Sequence, residues 1–151
     1  MITIITIGRK HEDWVAAGVE RYEKRLRRPF DLEWVLLPHS SLDGLRARQE
    51  ESERIISRIP IGAYVLLLDE TGVMLDSPAL TRVIEDCQLH SRPIVVIIGG
   101  AYGVTPALMK QADQVVSLSK LVFPHQLVRL ILAEQLYRCQ EISRGSGYHH
   151  V

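Results

Sequence analysis

The sequence predicts an α/β fold, a mostly parallel β-sheet flanked by helices on both faces. Three observations predict it. Strand-like and helix-like segments alternate from end to end, in the order β-α-β-α-β-α-β-α-β-α. Ala63–Leu68 and Pro93–Ile98 are apolar runs of the kind found in strands buried on both faces. Ser77-Pro78 and Thr105-Pro106 each set a capping side chain before a proline, as helix starts do.

Element by element, Ile2–Ile7 is a β-branched run stopped by Gly8, hence a strand. Residues 11–28 read as a helix, with Trp14, Gly18, Tyr22 and Leu26 on one stripe, ended by Pro29. Asp31–Leu37 is a second strand, stopped by Pro38. Ser41–Ile59 carries charge throughout and reads as a solvated helix ending at Pro60. The strand Ala63–Leu68 follows, then a helix from Ser77, with Ser77 as N-cap, to about His90. After Pro93–Ile98, Thr105-Pro106 opens a short helix, and Gln114–Leu118 is the last strand. Pro124 opens the final helix, which ends near Ser143, before Gly145. There is no repeat, low-complexity segment or linker, so the chain reads as one domain over residues 1–151.

The 46% hydrophobic fraction excludes a disordered chain. Eighteen basic residues balance eighteen acidic ones, so no global charge points to nucleic acid, although a local patch suffices for RNA. Cys87 and Cys139 lie far apart, with neither metal spacing nor a disulfide framework. They suit a reducing cytosol, and the expected location is cytoplasmic. The start Met1-Ile2-Thr3-Ile4-Ile5 lacks a basic signal-peptide start, and no apolar run approaches the about 20 residues of a membrane helix. No His/Cys/carboxylate cluster has ligand spacing, so no metal is expected.

Ligands of such sheets sit beyond the carboxyl ends of the strands. Three junctions qualify: Leu68-Asp69-Glu70-Thr71-Gly72, Gly99–Gly103 and Leu118–Phe123. Gly99-Gly100-x-x-Gly103 is neither a dinucleotide fingerprint nor a P-loop. Its glycines allow a ligand close to the main chain, or simply make a tight turn. Leu118-Ser119-Lys120-Leu121-Val122-Phe123 is unusually apolar for a connection. It is either ordinary core packing or the cover of something flat and apolar, such as an adenine ring whose edge satisfies loop backbone groups.

In the final helix, Arg129 lies among apolar residues with no carboxylate at i±3 or i±4. It calls for a partner from elsewhere: another chain, a phosphate or a ligand carboxylate. Arg138 has Glu134 four residues before it and Glu141 three after, which reads as a surface salt bridge or a substrate contact. His125, after Pro124, can cap, touch phosphate or face water. Tyr148-His149-His150 is either a loose tail or part of a site, and Tyr148 is a costly side chain to leave in solvent. Arg21, Lys24, Arg25, Arg27 and Arg28 form either a solvated helix face or an RNA footprint.

Several segments carry a resemblance that spans essentially the whole chain: Ile4–Arg9, Tyr22-Glu23-Lys24-Arg25, Leu68–Gly72, Ile98–Gly103 and, most specifically, Ser117–Arg129 with Glu134-Gln135-Leu136-Tyr137-Arg138. In these the chain resembles the SPOUT-class 23S ribosomal RNA pseudouridine-N3 methyltransferases, the ribosomal RNA large subunit methyltransferase H family. The resemblance implies a C-terminal trefoil knot, which fold rules alone would argue against. It implies S-adenosyl-L-methionine bound by Leu68, Gly99, Gly100, Gly103, Leu118, Ser119, Lys120, Leu121, Val122, Phe123 and His125. It implies a homodimer in which each site is completed by the partner, with Arg129 in a buried dimer interface. It implies action on 23S rRNA in the assembled ribosome, with His149, Arg138 and Tyr148 as the catalytic group. Where the family tail continues Tyr-His with Lys or Arg, this chain has His150-Val151, replacing a permanent cation by a group largely neutral at pH 7. The alternatives are a related methyltransferase of another rRNA or tRNA base, or a nucleotide-binding module that transfers nothing.

Overall fold

The protein was described from a computed structural model, which defines residues 1–150; Val151 and its part in the altered tail lie outside the described residues. The elements are β1 (Ile2–Ile7), α1 (Asp13–Glu23), β2 (Leu32–Leu37), α2 (Gly44–Ile56), β3 (Tyr64–Met74), α3 (Ser77–Leu89), β4 (Ile94–Ile98), α4 (Pro106–Gln111), β5 (Gln114–Ser117) and α5 (His125–Ser143). The strands form one sheet in the order β2-β1-β4-β3-β5, and each neighbouring pair is parallel.

Alternate residues of the central strands enter two cores. Ile2, Ile4, Val96 and Ile98 pack with Leu132, Leu136 and Ile84 on the face covered by α1, α3 and α5. Ile5, Ile7, Val95 and Ile97 pack with Ile55 and Leu108 on the face covered by α2 and α4. Both faces being apolar, the strands read as continuous hydrophobic runs. Cys87 and Cys139 are buried free thiols, and burial pushes Cys139 up to about 11.

The expected elements are all present, with four differences in detail. The first helix ends at Glu23 rather than near residue 28, because the Arg25 and Leu26 amides close tight turns onto Tyr22 and Glu23. Its inward stripe is Val15 and Val19, whereas Trp14 is exposed. The second helix is not wholly solvated: Ala47, Glu51, Ser52 and Ile55 are buried. The N-cap of α3 is Asp76, whose carboxylate accepts the Ala79 amide at 2.8 Å; Ser77 is inside the helix and its hydroxyl donates to Gln135 instead.

The fourth difference shapes the site. The third strand does not stop at Leu68. Leu68 and Val73 both pair with Val116, so residues 69–72 bulge out of the sheet between them. Gly72 permits this, since a Cβ there would lie 2.5 Å from the Val115 carbonyl.

Candidate active site

The sheet order explains why three separate junctions make one site. β4, β3 and β5 are adjacent and parallel, so their carboxyl ends open side by side. There they frame a cleft of about 590 Å³. Leu68, Gly99, Gly100, Gly103, Leu118, Ser119, Leu121, Val122, Phe123 and His125 all line it. Lys120 is exposed and is not among the lining residues.

The loop after β5 is not packed away. Leu121 is 72% and Val122 81% exposed, so the loop presents apolar surface at the cleft wall. The Ser117 hydroxyl donates to the Ser119 carbonyl at 2.9 Å, and the Ser119 hydroxyl accepts the Leu121 amide at 3.0 Å. These local bonds hold the loop open without a core behind it.

The glycine loop forms the opposite wall. Gly103 has φ +80°, and its amide donates to the Gly100 carbonyl at 3.0 Å, closing a tight turn. Gly100 is buried against Glu51: a Cβ there would lie 2.3 Å from Glu51 Oε1. Glu51 is 3% exposed; its Oε2 accepts the Ser40 amide at 2.9 Å, while Oε1 has no partner. Burial pulls the His125 imidazole below its ordinary value; the Gly99 backbone opposes this, and Arg129 adds to it.

Arg129 differs from expectation. It is wholly buried, but its partners belong to its own chain. Its Nη groups donate to the carbonyls of Ile7 (2.9 Å), Gly8 (3.1 Å) and Lys10 (2.9 Å). Main-chain carbonyls of its own chain thus take both Nη groups, while Nε is buried without a hydrogen-bond partner among the described residues.

A second cluster lies outside this cleft. Arg138 bonds Glu134 Oε1 at 2.5 Å, the phenol of Tyr148 donates to the same oxygen at 3.1 Å, and Arg138 Nη1 donates to His149 Nδ1 at 3.2 Å. The guanidinium lies 4.9 Å from the Tyr148 ring centre, and that ring packs edge-on to Tyr137. Burial, reinforced by Glu134, pushes Tyr148 up to about 12, so it remains a phenol donor. Glu141 is not part of the cluster; it pairs with Arg144 at 3.6 Å. Since a guanidinium can only donate, His149 Nδ1 is the acceptor of its bond with Arg138. None of Arg138, Tyr148 and His149 lines the cleft of its own chain. Among the described residues no group of His, Cys, Asp and Glu is placed to hold a metal ion.

A family model described as "Predicted SPOUT methyltransferase" matches residues 1–149. The chain belongs to the SPOUT methyltransferase family. Among its curated relatives, the ribosomal RNA large subunit methyltransferase H of Geobacter metallireducens is 38% identical over 151 residues, covering 99% of this chain and 98% of that one. The protein of the same name from Bifidobacterium adolescentis is 40% identical over 156 residues, covering 98% of each. A solved structure, a probable methylase family protein from Haemophilus influenzae Rd KW20, superposes with a TM-score of 0.55 at 11% identity, over 99% of this chain and 70% of that one. The two share a fold.

For this SPOUT protein, sequence reasoning missed Arg48, Val104 and Met109, which also line the cleft. Nothing in the sequence marks Arg48, one charge on a highly charged helix. Only the sheet order, which sets α2 beside the end of β4, brings it to the site.

Proposed function

We propose that the chain methylates N3 of a pseudouridine in 23S rRNA of the assembled ribosome, taking the methyl group from S-adenosylmethionine, as a cytoplasmic homodimer of single-domain subunits. The observation that carries this is the separation of the two clusters. A donor-sized cleft lies at the strand ends, while the tail group Arg138–Tyr148–His149 sits outside it. A second copy of the chain would supply its tail to this cleft. The names of the curated relatives support an RNA of the large subunit as the substrate.

The residues present fit the donor. The wall Leu118–Phe123 offers exposed apolar side chains for an adenine face, and the glycine loop offers backbone without side chains. When bound, S-adenosylmethionine supplies a methyl group already activated on a sulfonium, so the chain needs no nucleophile of its own. The work left to its residues is to align N3, methyl carbon and sulfur, and to let the N3 proton leave to a general base or an organised water as the N–CH3 bond forms and the CH3–S bond breaks. His149 lies over the target base; Arg138 orients the RNA; and Tyr148 keeps both in register through Glu134. The exposed arginines and lysine of residues 21–28 add the phosphate contacts.

The trefoil knot belongs to this reading. β5 is an edge strand, yet α5 packs between α1 and α3, so the chain runs back across the strand ends before α5 begins.

The test is transfer of label from S-adenosylmethionine to large-subunit RNA of ribosomes from cells lacking this activity. Label in 23S rRNA is expected. Donor binding without transfer would leave a binding module, and label in transfer RNA alone would make this a different methyltransferase.

A further inference from the structure

Among the described residues the cleft lining holds one fixed positive charge, Arg48, and no carboxylate pairs with it. Arg48, half-buried on α2, donates from Nε to the Tyr102 carbonyl at 2.7 Å. Among the described residues its Nη groups have no hydrogen-bond acceptor and no carboxylate within salt-bridge reach. The tether is reinforced from the other side: the Tyr102 phenol donates to Asp43 Oδ1 at 3.3 Å, and Asp43 stands at the N-cap of α2. With Nε fixed, the free end of the guanidinium is a pre-set fork. It lies beside Gly103, where a Cβ would come within 3.9 Å of Nε and Nη2.

We propose that Arg48 grips the carboxylate at the amino-acid end of the methyl donor and makes the protein select that donor over its decarboxylated form. The proposal rests on the donor reading above. It uses the charge pattern of the cleft: Asp69 and Glu70 are negative on the β3 wall, and Arg48 is positive on the glycine-loop wall. S-adenosylmethionine carries a sulfonium, an ammonium and a single carboxylate. That carboxylate matches the Arg48 guanidinium, whose Nη1–Nη2 edge holds a carboxylate bidentately, which a lysine does not. The apolar side chains of Leu121 and Val122 on the other wall have no charge to offer this end of the molecule.

The experiment is calorimetric titration of the wild-type protein, Arg48→Ala and Arg48→Lys with S-adenosylmethionine and with decarboxylated S-adenosylmethionine. The wild type is expected to prefer the carboxylated donor by about tenfold or more. In Arg48→Ala that preference should fall to near unity, through loss of affinity for the carboxylated donor alone. Arg48→Lys, which keeps the charge without the fork, should fall between. An equal loss for both ligands would show that Arg48 only tethers the loop and would overturn the proposal. An undiminished preference with weaker ribosome binding would assign the guanidinium to an RNA phosphate and overturn it equally. A wild type that binds neither ligand would defeat the donor reading itself, and the proposal with it. A wild type that binds both equally would defeat the proposal alone.

Discussion

Arg129, midway along the first half of α5, donates to the carbonyl of Ile7 at the end of β1 across a span of 122 residues. This bond, with those to Gly8 and Lys10, fixes the last helix against the first strand. It ties together the layer under the cleft.

Removing that guanidinium leaves the buried Ile7 and Gly8 carbonyls short of a donor, whereas the Lys10 carbonyl keeps Gln126 Nε2 at 3.3 Å. Arg129→Met should therefore cost about 3–5 kcal/mol of unfolding free energy in urea titration. Arg129→Lys should recover only part, since a single ammonium does not span carbonyls that two Nη groups reach. A loss below about 1 kcal/mol for Met would contradict this role.

Gly100→Ala should strain the glycine loop, because the new methyl meets Glu51 Oε1. The expected cost is about 1–3 kcal/mol in thermal or chemical unfolding. Combining it with Glu51→Ala should recover part of that loss, since the obstructing oxygen is gone. Strict additivity of the two changes would show that they do not meet.

How far the sequence reaches is clear from these two residues. Apolar runs, charged stretches and Ser/Thr-Pro start signals together predict the strands and helices in order, and the three odd junctions predict the cleft. Arg129 is visibly out of place, but its partners are backbone carbonyls 119 or more positions away, which no side-chain pattern encodes. Trp14 misled because any i, i+4 stripe fits a helix, and the sheet selects Val15 and Val19. Asp76 and Ser77 are both capping residue types in adjacent positions, and only the backbone turn decides between them.

The His125 imidazole titrates below its ordinary 6.5 in the folded state. The unfolded chain therefore binds the proton more readily, and stability rises with pH across that window. The contribution is fully present above 6.5 and is lost as pH falls through the lower folded value. His11 is shifted in the same direction by burial and by Arg129. Unfolding free energy should drop as pH is lowered from 7 to 5, and less steeply in His125→Asn; identical slopes would remove His125 from the account.

In the proposed dimer Arg138 and His149 act on the RNA and the target base rather than on the donor, so their loss should spare donor affinity. His149→Ala should lower turnover far more than donor binding, and equal loss of both would sink its assignment to the target base. Arg138→Ala should weaken ribosome binding with donor binding intact. A mixture of a tail-defective chain with a cleft-defective chain should regain activity that neither has alone, because one site of each mixed dimer is whole.

The most direct measurement is methyl transfer from labelled S-adenosylmethionine to assembled ribosomes, to free large subunits and to naked 23S rRNA, with the product nucleoside identified by mass spectrometry. The account predicts 3-methylpseudouridine, formed on assembled ribosomes in preference to the other two substrates. Label in any other nucleoside, or equal transfer to naked RNA, would contradict it.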